Sequence, residues 1–289
     1  MKKISALIAM LVIGVFLLLS LPLYEDIPVD PLWEMSVVEN PPNDAVTVRF
    51  TGTSTLLAAV IPMHSHYDHA MDSPEVARRT NAVLMGSAST ANIGRGWGLP
   101  EKQIRVFQNR VPVRIGDFEI TPIESKHFEF AQAAMRERAL RDPDITEPLI
   151  PPVAAFDYRL GKAYVLHIRH PKGNFAIVGS AGYDKDGLQG LQADVVFLGI
   201  GGLGSQSQAY REAYWEETVG TLQSNLVIPI HYDSLTAPIE GPFRGTDLLM
   251  SMLSGGSENT LSFLRAKQAD NPLLVYGLLP RYDEIVLFD

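Results

Sequence analysis

Hydrophobic and polar positions divide the chain into three stretches. From Ile4 to Leu23 apolar and small residues run almost unbroken, preceded by Lys2 and Lys3 and followed by Glu25 and Asp26. Roughly twenty residues at about 1.5 Å each reach about 30 Å, the hydrocarbon thickness of a bilayer. The run exceeds an ordinary signal core and shows no clear small-x-small cleavage site, so residues 1–24 are expected to form an uncleaved anchor, with a cleaved signal segment as the alternative. The two lysines favour a cytoplasmic amino terminus, which would put the remainder on the periplasmic or extracellular side, or secrete it after cleavage. Residues 25–44, rich in proline and acidic side chains, read as a tether.

From 45 to 289 short β-rich runs alternate with helical patterns. Strands are expected at Val46–Phe50, Ala58–Ile61, Ala82–Met85, Ile104–Phe107, Phe118–Ile123, Ala163–Arg169, Phe175–Val178, Asp194–Leu198, Leu226–Ile230, Leu273–Tyr276 and Glu284–Phe288. Helices are expected at Pro74–Thr80, with Ser73 as N-cap, and at Phe128–Arg141, Ala209–Leu222 and Asn259–Ala269. Many strands with interspersed helices predict an α/β protein whose sheets are covered by helices.

Composition narrows the chemistry. A net charge of −9, from Lys+Arg 24 against Asp+Glu 33, offers no basic footprint for nucleic acid. The chain has no cysteine, which removes disulfides, thiolate zinc sites, iron–sulfur clusters and thiol nucleophiles together. Only nitrogen and oxygen ligands remain.

Such ligands cluster in Ile61-Pro-Met-His64-Ser-His66-Tyr-Asp68-His69, directly after an expected strand. At a strand end His64 and His66 point to the same side, and the turn that follows brings Asp68 and His69 to an adjacent position. Neutral imidazoles with a carboxylate suit a borderline divalent ion such as zinc when thiolates are absent. His127, after the strand at 118–123, and His231, ending the strand at 226–230, join the set because loops at strand ends assemble sites in α/β proteins. His167 and His170 lie in or beside a strand and read as structural.

In this arrangement of residues the sequence resembles the metallo-β-lactamase fold superfamily of metallohydrolases. The resemblance covers Val46 to the carboxyl terminus and rests on His64-x-His66-x-Asp68-His69, His127, His231 and the opening Phe50-Thr-Gly52-Thr-Ser-Thr-Leu. Its tone is closest to the branch of the N-acyl phosphatidylethanolamine-hydrolysing phospholipase D and the ascorbate-6-phosphate lactonase. The resemblance implies a four-layer αββα sandwich with metals at one edge between two mixed sheets. Carried over by position, His64, His66 and His127 would hold a first zinc ion, and Asp68, His69 and His231 a second. It further implies that zinc-bound hydroxide cleaves an ester, lactone or phosphodiester bond. Asp68 would then orient the hydroxide and shuttle its proton, and His231 or the second ion would stabilise the leaving oxygen.

Two departures stand out. Where the superfamily supplies a bridging aspartate, this chain has Gly179-Ser180, and a neutral hydroxyl predicts a weaker second site; Asp184 and Asp186 are candidates to reach in. Only about a dozen positions separate Gly52 from His64, too few for the hairpin usual there. The sandwich is therefore expected to be shortened in its amino-terminal strands.

Other signals are weaker. Gly199-Ile-Gly201-Gly-Leu-Gly204 matches the dinucleotide fingerprint literally but lacks an acidic strand end about twenty residues on, leaving a nicotinamide-dependent oxidoreductase as a remote alternative. A flexible loop offering Ser205, Gln206 and Ser207 is the expected reading. Tyr67 and Tyr232 flank ligands as candidate oxyanion donors or packing groups. Arg136, Arg138 and Arg141 read as an exposed helix face, Trp97 as a lid or packed aromatic, and Pro148–Pro152 as a rigid connection. The rival class is a non-catalytic, membrane-tethered binding protein on a decayed hydrolase fold. The expected partners are a small-molecule or lipid-like substrate and the membrane, with no nucleic acid.

Overall fold

A computed structural model describes residues 27, 29–38, 41–42, 45–49, 59–235, 237, 244–245, 257–280 and 282–289. The candidate anchor at 1–24 and most of the short stretch between Gly52 and His64 lie outside the described residues. Among those described, no helix is long and apolar enough to cross a membrane.

Twelve strands are described: β1 (Val46–Arg49), β2 (Ala59–Val60), β3 (Val83–Gly86), β4 (Ile104–Val106), β5 (Val113–Ile115), β6 (Phe118–Ser125), β7 (Ala163–His170), β8 (Gly173–Val178), β9 (Val195–Gly199), β10 (Leu226–Ile230), β11 (Val275–Tyr276) and β12 (Glu284–Phe288). The α-helices are α1 (Tyr67–Ala70), α2 (Ser73–Thr80), α3 (Ala88–Gly96), α4 (Ala133–Leu140), α5 (Gln208–Trp215) and α6 (Ser257–Asp270). A seven-stranded sheet runs β11-β10-β9-β8-β7-β6-β5, parallel from β11 to β8 and antiparallel beyond. A second sheet, β2-β3-β4, is wholly parallel, and β1 pairs antiparallel with β12.

Side-chain alternation fixes the layers. Ala59, Ile61, Met63 and Met85 enter the core shared with the seven-stranded sheet, whereas Val60 and Leu84 turn the other way onto Ala77, Ala82 and Leu99. There α2 and α3 cover the small sheet. Tyr214, Val219, Leu222, Phe263 and Leu264, from α5, the turn after it and α6, close the large one. The layer order is helix, sheet, sheet, helix, with the described small sheet parallel rather than mixed.

Local chemistry explains the helices on the small sheet. Helix α2 carries Pro74 in its first turn, and Glu75 accepts from Arg78 and Arg79 one turn on, at 2.7 and 2.6 Å. It stops at Asn81, whose φ of 57° is left-handed. Its N-cap is Asp72, not Ser73; Ser73 is the first helical residue and donates to the Ala70 carbonyl at 2.7 Å. The helix expected from Phe128 begins only at Ala133, because 128–132 fold against His127. Part of the expected tether is docked: Val29 and Trp33 are buried, and the Trp33 ring lies 4.3 Å from Tyr276.

Candidate metal centre

Beyond β2 the chain stays extended, held by Tyr164 N donating to Met63 O and Ser65 N to Leu160 O, each at 2.9 Å. Met63 points into the core, so His64 faces the opposite side. His66 caps α1 in extended backbone, and that single helical turn swings Asp68 and His69 beside His64. His127 comes from the loop two residues past β6, and His231 directly follows β10 with a φ of 59°. A left-handed backbone at a histidine is uncommon and is held here by the surrounding packing. A Cβ on Gly201 would fall on the His231 ring and carbonyl, and one on Gly182 would fall on the backbone of Lys126 and His127. Glycine is therefore required at both positions for the two loops to approach.

All six sequence-derived ligands converge. His64, His66 and His127 present donor atoms within 4.8 Å of one another, as do His64, Asp68 and His69. His64 Nε2 lies 3.0 Å from His66 Nδ1, His69 Nε2 lies 3.0 Å from His231 Nε2, and His231 Nε2 lies 3.3 Å from Asp68 Oδ2.

Backbone carbonyls decide which ring nitrogens face inward. His66 Nε2 donates to Ala139 O at 3.0 Å, and His127 Nδ1 donates to Phe128 O at 2.8 Å. Each bond leaves the other nitrogen of that ring with a lone pair aimed at the cluster, the arrangement metal-ligating histidines require. Ala139 is the buried residue of α4, so the excursion between β6 and β7 closes over the site and orients a ligand.

Electrostatics agree with this donor set. Burial holds His64 well below its ordinary pKa and holds His69 and His127 at about 3; His66 is lowered for the same reason. These four rings are neutral near pH 7, as ligands must be. Burial alone would raise the Asp68 carboxyl, but His69 and His231 outweigh it and keep the carboxylate ionised. His231 is the exception: burial lowers its proton affinity, yet the Asp68 carboxylate overrides this and raises it. Two imidazole nitrogens 3.0 Å apart beside a carboxylate, and a fully buried His64, are what a bound cation would satisfy. The donor set fits one.

Several candidates are used elsewhere. Asp184 pairs with Lys126 at 2.6 Å, and the Asp186 carboxylate accepts from Gln189 at 2.8 Å, so neither joins the cluster. Arg136 donates to Phe130 O, Arg138 lies over the Phe156 ring, and Arg141 pairs with Glu137. Tyr67 packs with Ala70, Ile93 and Tyr158, and Trp97 joins the same cluster instead of forming a lid. His167 donates to Gln192 O at 2.8 Å and His170 stacks on Phe118, both structural as expected.

The glycine-rich segment is not a flexible loop. It forms a short 3-10 turn, Leu203–Ser205, with Leu203 and Gly204 buried and Gly202 against Phe128. Its polar trio serves structure: Ser205 bonds Gly202 O, Gln206 bonds Glu129 O, and Ser207 caps α5. Ser180 keeps a buried hydroxyl with no partner among the described residues. The carbonyls of Ala139 and Phe128 leave no trace in side-chain identity and escape a reading of the sequence.

No known family model matches the chain, and no curated protein matches it. Among solved structures it is similar to Igni18, a metallo hydrolase from the hyperthermophilic archaeon Ignicoccus hospitalis, at 14% identity over 80% of this chain and 79% of that one, with a TM-score of 0.45. It is similar to the metallo-beta-lactamase fold protein YhfI from Bacillus subtilis, at 14% identity over 78% and 76%, TM-score 0.42. The diiron β-hydroxylase CmlA from Streptomyces venezuelae aligns at 13% identity over 81% of this chain and 46% of its own, TM-score 0.43. At such scores the likenesses stand beside the site, whose chemistry is read from its own residues.

Proposed function

We propose that the chain is a metal-dependent hydrolase acting on an ester, lactone or phosphodiester. The observation that carries the reading is the convergence of five neutralised or carboxylate-paired histidines and one ionised aspartate, with two ring orientations fixed by backbone carbonyls. His64, His66 and His127 would hold one divalent ion, and Asp68, His69 and His231 would receive a second more weakly, since Ser180 supplies no charge. Zinc and iron both accept this nitrogen and oxygen set. Bound there, the ion supplies Lewis acidity and a water acidified toward neutrality.

The chain's own residues do the rest. Asp68, ionised and 3.3 Å from His231 Nε2, is placed to orient a water and accept its proton. His231, the more exposed of that pair, would stabilise negative charge at a leaving oxygen. An amino-terminal anchor would hold this domain at a membrane surface, which favours lipid-like or envelope-derived substrates.

Metal analysis of the purified full-length protein, paired with generic phosphodiester, carboxylic ester and lactone substrates, tests the reading. Turnover should vanish with chelator and return with added ion, and His64→Ala should lose at least a hundredfold in both metal affinity and rate. A His64→Ala protein that keeps its metal and its turnover overturns the assignment. Metal without turnover of any substrate class would instead favour the non-catalytic binding protein.

A further inference from the structure

Three hydroxyls form a closed ring directly behind the ligand loop. Ser65 Oγ lies 3.1 Å from Ser87 Oγ and 2.9 Å from Thr90 Oγ1, and the latter two lie 3.2 Å apart. Ser65 is 0% exposed, Ser87 3% and Thr90 1%. Each hydroxyl has one hydrogen to give, so three groups and three contacts close the ring with every donor used. In a dry setting such a ring is cooperative, and removing one member leaves one of the remaining hydroxyl donors without its acceptor.

The ring brings three pieces of chain to one point. Ser65 stands between His64 and His66. Ser87 is the N-cap of α3 and accepts from Thr90 N at 3.2 Å. Gly161, just before β7, is the third piece and packs directly on the ring: a Cβ there would sit 2.7 Å from Ser87 Oγ and 2.8 Å from Ser65 Oγ. The backbone of Ser65 is held independently by Leu160 O. In an extended segment the Ser65 side chain points opposite to its neighbours, so the ring fixes the loop from behind while both imidazoles face the cluster.

We infer that Ser65, through its hydroxyl ring with Ser87 and Thr90, is a positioning residue that sets the 3.0 Å approach of His64 Nε2 to His66 Nδ1 and so the affinity for the first ion. The inference rests on the metal reading above and deepens it. Residues orienting metal ligands from behind typically contribute 10- to 100-fold in affinity.

The test uses the full-length protein with Co²⁺ as a spectroscopic probe and Zn²⁺ in chelator competition. Ser65→Ala should weaken the tightest ion at least tenfold and lower the intensity of the Co²⁺ ligand-field band. Thr90→Val, nearly isosteric and outside the ligand loop, should shift both readouts the same way by a smaller factor, and it decides the matter if Ser65→Ala fails to fold. A role in stability alone would lower the melting temperature of the metal-free protein and leave the Co²⁺ spectrum of the loaded protein unchanged, which overturns the inference. Wild-type protein that binds no ion overturns the metal reading and this inference with it. A wild type that binds and variants that bind equally well overturn the inference alone.

Discussion

At the scale of single residues, the buried histidines make the metal-free chain sensitive to acid. His69 and His127 sit at about 3, chiefly through burial, against 6.5 when unfolded. Between those values the unfolded chain binds protons that the native chain refuses, so unfolding gains as pH falls. Each such group removes up to about 1.4 kcal/mol per pH unit below 6.5. His64 and His66, both lowered, act in the same sense. His231 acts in the opposite sense: its raised value adds stability below 6.5 that is lost as pH rises through the folded value. Asp68, lowered, contributes stability above the ordinary carboxylate range and leaves the interval from 6.5 to 5 unaffected. Four groups oppose one, so chelator-stripped protein should lose about 2 kcal/mol or more between pH 6.5 and 5. Urea midpoints at the two values measure this, and a midpoint that holds or rises on acidification contradicts the neutral-cluster description.

At the scale of elements, two glycine loops divide the support of the cluster. Gly182, after β8, lies against the backbone of His127; Gly201, after β9, lies against His231. Alanine at either position meets atoms that are not free to move, a clash that typically costs about 1–3 kcal/mol or displaces the neighbour. Gly182→Ala should weaken the tightest ion roughly tenfold, whereas Gly201→Ala should leave that ion within a few-fold and impair turnover. Zn²⁺ competition isotherms for the two variants distinguish these outcomes, and equal effects at both positions would show that the loops do not act separately.

The elements also show what the sequence discloses. The ligand motif, nearly all strands and the helix over 74–80 are legible because local periodicity and strand-end chemistry specify them. Helix α3 is not, since Gly94 and Gly96 look like breakers. Their reason is tertiary: a Cβ on Gly94 would sit 2.8 Å from Leu84, and one on Gly96 would fall on the Leu149 backbone. Strand β5 is three residues long and joins β6 through the turn at Gly116 and Asp117, too short for alternation to show. The helix expected from 128 begins late because Phe128 and Phe130 pack on the His127 ring, at 4.5 and 5.4 Å between centroids. Tertiary contact there overrides helix propensity.

At the scale of the whole molecule, the segment ahead of β1 belongs to the fold rather than merely linking it to what precedes. Trp33 is 9% exposed, and its ring meets Tyr276 at the open edge of the seven-stranded sheet. Leu278 N donates to Trp33 O at 2.6 Å and Met35 N donates to Leu278 O at 2.8 Å, so the segment extends the strand pairing past β11. Asp30 accepts from Arg265 of α6 at 2.7 Å, a solvent-facing pair of small value beside the buried ring. The pairing with Leu278 occupies the backbone at the end of that edge, which is then not offered to other chains. Trp33→Ala should therefore cost about 3 kcal/mol, within the range for a buried tryptophan, and should raise the tendency to associate by freeing the backbone around Leu278 at the end of that edge. Thermal denaturation and light scattering of that variant check both effects. Because Trp33 packs on Tyr276 rather than on any ligand, metal affinity should stay within twofold of wild type. A variant that melts like wild type would mean that residues 29–35 only rest on the sheet. One that loses its metal would mean that the edge and the cluster are coupled through β10, whose end carries His231.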